Sequence, residues 1–117
     1  MAIFVGAEYI IANALIALQR KGIDKIHVST LQTFGIMVQK LCIEKSVDAV
    51  VLLSKQYVNA AIYNFSDYFS YTEDSQGAYI HLKSGAEIQD MESRFIGYLP
   101  LDVLMIITEA ANELVAA

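Results

Sequence analysis

Residues 54–83 are the stretch that most constrains the fold of this chain. A helical pattern runs through the first part of it, and a β-hairpin at about residues 69–83 follows, since two strand-like runs flank a polar turn that ends at Gly77. The same stretch holds seven of the chain's twelve aromatic residues, five of them tyrosines. A helix that runs directly into a hairpin predicts a mixed α+β fold.

Helical patterns cover most of the remaining chain. Apolar residues recur at helical spacing over residues 6–21 and 100–116. Residues 29–45 and 84–97 each begin with a serine and have Gln or Glu three positions later, which is the pattern of a capping box. A short β-type segment at residues 26–28 lies between the first two helices. We therefore expect five helices, one short β segment and a two-stranded hairpin.

This order of elements, a helix followed by a hairpin with further helices on both sides, resembles that of a winged-helix domain. The predicted fold is a mostly helical α+β fold that is winged-helix-like. At 117 residues, the chain is expected to form a single domain over residues 1–117.

One segment, residues 47–53, has two interpretations. It can be the start of a single helix over residues 49–65 with Asp48 as its N-cap, or a buried strand followed by a shorter helix that Ser54 caps and Lys55 begins. The valines suit the strand, but the single helix is the preferred prediction.

The composition indicates association with another chain. Hydrophobic residues make up 56% of the sequence and charged residues 18%, whereas an average domain has roughly 45–50% and about 25%. A small domain has a large surface for its volume and cannot easily hide so many apolar groups alone. We expect a homodimer or a subunit of a complex.

The C-terminal helix, at about residues 100–116, is the candidate dimerisation element. It has two apolar faces, which include Leu101 and Leu104 on one and Ile107 and Leu114 on the other. This apolar arc is wider than one core contact requires. A helix of this kind either dimerises or is sunk in its own core, and the sequence does not favour one of the two.

The winged-helix resemblance raises the possibility of DNA binding, with Lys55, Gln56, Asn59, Tyr63 and Asn64 of the third helix as the candidate reading residues. Asn and Gln can pair bidentately with adenine. The charges oppose this hypothesis, because the formal net charge of the chain is −5 and residues 54–83 contain two basic and three acidic residues. Phosphate contacts need Lys or Arg. A DNA-binding transcriptional regulator is therefore the alternative function, and nucleic acid is a disfavoured partner.

A protein-binding role fits the same stretch better. Tyr57, Tyr63, Tyr68 and Tyr71 lie among Asn, Ser and Gln rather than among cations, and tyrosine is enriched at the centres of protein interfaces. We predict a small non-enzymatic intracellular interaction or regulatory module, in which the exposed tyrosines and the C-terminal helix form the interface.

No sequence motif indicates catalysis, a cofactor or a metal. His27 and His81 each lie in a β-type run on the face opposite their apolar neighbours, and two histidines with the single Cys42 do not form a zinc-ligand pattern. The lone cysteine fits a reducing, cytoplasmic setting. The longest uncharged run, residues 26–39, is too short to span a bilayer, so no membrane association is expected.

Overall fold

The structure, a computed structural model, describes residues 2–116. Ten elements follow one another: β1 (Ile3–Val5), α1 (Ala7–Gln19), β2 (Lys25–His27), α2 (Val28–Glu44), β3 (Ala49–Val51), α3 (Lys55–Asn64), β4 (Phe69–Asp74), β5 (Gly77–Leu82), α4 (Ile88–Phe95) and α5 (Leu101–Ala116). The predicted mostly helical α+β class, with five helices and a hairpin, is confirmed. No helix within residues 2–116 combines the length and the apolarity that crossing a bilayer requires.

Helix α1 lies at the centre of the fold. It packs against α2, α3, α4 and α5. Its apolar residues are buried on every side, as expected for a helix that is hydrophobic all round. The buried Asn13 satisfies its amide by donating to the carbonyls of Tyr9 at 2.7 Å and Phe95 at 3.3 Å, which ties α1 to α4.

The strands form two separate sheets. Strands β2, β5 and β4 make an antiparallel sheet in that order, so that the second strand of the hairpin pairs with the strand between α1 and α2. The inner face of this sheet buries Ile26, Phe69 and Ile80, while His27 and His81 lie on the opposite face with Tyr79, as alternation predicts. Strands β1 and β3 form a two-stranded parallel sheet.

The preferred prediction of a single helix over residues 49–65 is wrong. Ala49–Val51 is strand β3, and α3 begins at Lys55 with Ser54 as its N-cap residue. The structure thus takes the alternative interpretation. The physical reason is a partner strand that is distant in the sequence. Strand β1 pairs in parallel with β3 and satisfies the backbone hydrogen-bonding groups along one edge of β3. The sequence did not predict β1. Asp48 consequently precedes a strand and is not a helix cap.

Both predicted capping boxes are also wrong in detail. Helix α2 begins one residue earlier than expected, and its N-cap is His27, whose Nδ1 accepts a hydrogen bond from the backbone N–H of Ser29 at 3.0 Å. Helix α4 begins only at Ile88, because Gly85 has a φ of +87°, which interrupts any helix that would start at Ser84. For these two helices the sequence located the helix but not its first turn.

Candidate interaction surface on helix α3 and the hairpin

Helix α3 presents one side to the core and a polar side to solvent. Val58 and Ala61 are buried against the rest of the fold. The outward residues repeat at helical spacing and comprise Lys55, Gln56, Asn59, Ala60 and Tyr63, all exposed. These five residues, together with Tyr71 and Glu73 of β4, are called the α3–hairpin face below.

A groove separates α3 from the hairpin. It has a volume of about 300 Å³, and Lys55, Val58 and Asn59 line it from α3 while Tyr71 and Glu73 line it from β4. The hydroxyl of Tyr71 donates a hydrogen bond to Glu73 at 3.2 Å. Partial burial, and then the charge of Glu73, raise the pKa of the Tyr71 phenol, so this phenol stays a neutral donor at physiological pH. The groove can therefore hold a side chain between a cation on the α3 side and a carboxylate on the β4 side.

The charges around α3 are mainly negative. Lys55 is the one charged residue among the ten of the helix. The hairpin tip contributes Glu73 and Asp74, both exposed, and Asp67 is exposed between α3 and β4. Lys83 follows β5 and is exposed as well. An anionic ligand is thus not attracted to this surface.

The residues predicted to read DNA are all exposed, but they do not form one cluster. Lys55, Gln56 and Asn59 share the outward side of α3. Asn64 is the last residue of the helix and lies on a different side. It is seven residues, or about two helical turns, from Tyr57 and therefore shares the side of that tyrosine.

The four tyrosines predicted to form an interface divide into two groups. Tyr57, Tyr63 and Tyr71 are exposed. Tyr68 is a core residue instead, because its ring packs edge-on against Phe95 and its hydroxyl donates to Asp90 at 2.5 Å. Its ring is therefore too deeply buried in this fold to contact a partner.

The ring of Phe95 explains why Tyr68 is buried. It lies at the centre of an aromatic cluster in which its contacts span α1, the end of α3 and the start of β4, namely Tyr9, Phe65, Tyr68 and Phe69. Apolar spacing in the sequence does not reveal this convergence.

The C-terminal helix α5 is partly sunk in the core. Ile107 is fully buried, so its predicted place in a dimer interface is corrected. Leu104 and Leu114 are half-buried where α5 packs on α1 and α2, and Leu101 is exposed. The ion pair between Lys45 and Glu109, at 3.7 Å, spans the contact between α2 and α5. Only the outer part of this helix is open to a partner.

The candidate reactive residues are held in structural contacts. Cys42 is fully buried, and burial followed by the charge of Asp102 raises the pKa of its thiol. His27 caps α2 and contacts the carbonyl of Gln76 at 3.0 Å, and His81 contacts the hydroxyl of Thr72 at 2.6 Å. Within residues 2–116, no three His, Cys, Asp or Glu side chains are grouped to hold a metal ion.

A second exposed surface was not predicted from the sequence. Phe4 of β1 and Val50 of β3 are directly paired and point to solvent, and Ile36 and Ile43 are exposed on the neighbouring helix α2. The sequence does contain a signal for this surface, because Ile36 and Ile43 lie outside the inner face of α2. That inner face consists of Leu31, Phe34, Val38 and Cys42.

No protein-family model, no curated protein and no solved structure matches the chain.

Proposed function

We propose that the protein is a small non-enzymatic interaction or regulatory module that acts as a homo-oligomer or as a subunit of a complex, and that the α3–hairpin face binds another protein. The observation that supports this proposal is the chemistry of that face. It exposes Tyr63 and Tyr71 among uncharged polar side chains and is flanked by more carboxylates than cations. Protein interfaces have this character at their centres, where aromatic residues are enriched and charges are depleted.

Tyr63 is the candidate anchor of this face. Its ring is 82% exposed on the outward side of α3, next to Asn59 and Ala60. A tyrosine offers a rigid apolar ring with a polar tip, and the small Ala60 lets a partner come close to the helix. Truncation of an anchor of this kind typically weakens binding by about 2 kcal/mol or more, which corresponds to roughly 30-fold.

A matched pair of tyrosine variants tests the proposal. Tyr98, which follows α4, is 79% exposed and so serves as the control for Tyr63. The wild type, Tyr63→Ser and Tyr98→Ser are each immobilised and exposed to extract from the native host, and the bound proteins are identified by mass spectrometry. We expect at least one protein that binds the wild type and Tyr98→Ser but not Tyr63→Ser. Equal recovery by all three argues against the α3–hairpin face.

The second candidate function is that of a winged-helix DNA-binding regulator, and the topology favours it. The order α1, β2, α2, α3, β4, β5, with β5 placed between β2 and β4, resembles the arrangement of a winged-helix domain. In that arrangement α3 would enter the major groove and present Gln56 and Asn59 to base edges.

The salt dependence of binding distinguishes this second candidate. If Lys55 and Lys83 are the cations that meet phosphates, the logarithm of the affinity falls with the logarithm of salt at a slope of only about −2, so affinity drops roughly tenfold between 50 and 200 mM salt. Fluorescence polarisation with a duplex of random sequence measures this slope, and Lys55→Ala reduces it by about one unit. The absence of binding at low salt argues against this second function.

A further inference from the structure

Strand β1 has an open edge. The backbone of Ile3 donates to the carbonyl of Asp48 at 2.9 Å, and the carbonyl of Val5 accepts from Leu52 at 2.9 Å. Both residues therefore direct their backbone groups towards β3. In a strand, the residue between them directs its N–H and C=O to the other side. Phe4 thus presents a free donor and a free acceptor on an edge that no strand among residues 2–116 covers.

Two of the other three sheet edges are protected. Gln39 closes the outer edge of β3, because its amide donates to the carbonyl of Ala49 at 3.0 Å and accepts from the N–H of Val51 at 2.9 Å. Strand β4 carries Glu73 and Asp74, and charged residues on an edge oppose pairing with another chain. Strand β1 has the sequence Ile-Phe-Val, without a charge, a proline or a bulge.

An apolar surface continues from this edge. The side chain of Phe4 is 68% exposed, and that of Val50 beside it is also exposed. Gln39 binds the residues on either side of Val50, and Ile36 and Ile43 flank Gln39 on the outward side of α2 at 67% and 70% exposure. Phe4, Val50, Ile36 and Ile43 are called the β1–α2 patch below.

The charges favour this patch over α5 as the place where two copies meet. Each copy has a net charge of −5, so two copies approach most easily where carboxylates are absent. The four residues of the β1–α2 patch are uncharged. The outward stripe of α5, in contrast, carries Asp102, Glu109 and Glu113 beside Leu101 and Met105.

We infer that the protein forms a two-fold dimer in which β1 pairs antiparallel with β1 of a second copy, so that the two β1–α2 patches lie on one face of the joined sheet and touch only at Phe4. Phe4 faces the same residue of the second copy across the axis, and the two residues exchange both backbone hydrogen bonds, since their free N–H and C=O groups point at each other. The sheet then continues as β3–β1–β1–β3. This inference rests on the proposed function only for the claim that the protein acts as an oligomer.

Sedimentation equilibrium of the full chain tests the dimer. We expect the wild type to dimerise in the micromolar range, and Phe4→Lys to weaken the dimer at least tenfold, because a lysine at the axis places two cations opposite each other. Ile43→Lys, in α2 beyond the outer edge of β3, lies far from the axis and leaves the dimer unchanged. Met105→Lys, at a site of 64% exposure on α5, is the control that leaves dimerisation unchanged. Circular dichroism verifies that each variant is folded.

Cross-linking tests the geometry. In a hydrogen-bonded antiparallel pair the two Cα atoms are about 5.5 Å apart, which is within the range that a disulfide spans. Phe4→Cys combined with Cys42→Ala should give a covalent dimer on mild oxidation, whereas Leu101→Cys in the same background should not.

The outcomes separate this inference from the proposed function. A wild type that is monomeric at about 100 µM overturns the dimer, as does a dimer that only Met105→Lys dissociates, or a Phe4→Cys variant that forms no covalent dimer on oxidation. A monomer that still loses its partner on Tyr63→Ser overturns the dimer and leaves the α3–hairpin face as a binding surface.

Discussion

Replacement of Gln39 by methionine isolates the contribution of one side chain to the two-stranded sheet. The amide of Gln39 makes two hydrogen bonds to β3, to the carbonyl of Ala49 and the N–H of Val51, both in partly buried surroundings. Methionine has a similar length and helix propensity, so the substitution removes the hydrogen bonds and little else. A neutral hydrogen bond contributes about 0.5–1.5 kcal/mol net, and a buried group left unpaired costs about 1–3 kcal/mol. We expect Gln39→Met to lower the free energy of unfolding by about 2–3 kcal/mol.

Urea unfolding followed by circular dichroism measures this loss. With a slope of roughly 1–3 kcal/mol per molar urea, the midpoint should fall by about 1 M or more while the slope stays constant. Lys40→Met is the control, because Lys40 is the next residue of α2 and is exposed, and such surface changes stay within about 0.5 kcal/mol. A Gln39→Met variant as stable as Lys40→Met refutes the reasoning, since it shows that water replaces the amide without cost.

Two further predictions concern the hairpin and the aromatic cluster. Gly77→Ala should destabilise the protein by more than about 2 kcal/mol, because Gly77 has a φ of +125° and an added Cβ would lie 2.4 Å from Nε2 of His27. Gly22→Ala is the control and should destabilise the protein less, because Gly22 has a φ of +79° and an added Cβ would have no atom within 4 Å. Thermal melts compare the two variants. Tyr68→Phe should destabilise at neutral pH by removing the hydrogen bond to Asp90. That hydrogen bond raises the pKa of Tyr68 in the folded state. Its contribution to the free energy of unfolding is therefore present below the unfolded pKa near 10 and is lost as pH rises through the folded pKa. The urea midpoints of the wild type and the variant should accordingly converge as the pH is raised from about 8 to 11.

The parts of the fold that the sequence predicted are those that depend on local periodicity. The positions of α1, α2 and α5 and the hairpin followed from apolar spacing and turn residues. Strand β3 was assigned to a helix because three residues carry too little periodicity to decide. Its structure depends on β1, more than forty residues away in sequence, and on the side chain of Gln39. Neither contact leaves a local signal.

Helix starts were mispredicted for a related reason. The Ser29 capping box was plausible, yet His27 acts as the cap because its ring is also held by the carbonyl of Gln76 in the hairpin turn. The contact between ring and turn is tertiary, and it selects the cap. In the same way, the sequence predicted both Tyr63 and Tyr68 as interface residues. Packing against Phe95 makes Tyr68 a core residue, whereas Tyr63 is exposed.

The distribution of charge limits what can occupy the groove between α3 and the hairpin. Its two walls carry opposite charges, with Lys55 on α3 and Glu73 on β4. A phosphate drawn to Lys55 also meets the carboxylate of Glu73 in the same groove, and this repulsion offsets much of the single attraction. A peptide that carries a lysine or an arginine a few residues from an acidic side chain pairs with both charges at once. If the α3–hairpin face binds a protein as proposed, we expect a segment of mixed charge in this groove, and Glu73→Gln should slow its association more than Lys83→Gln does.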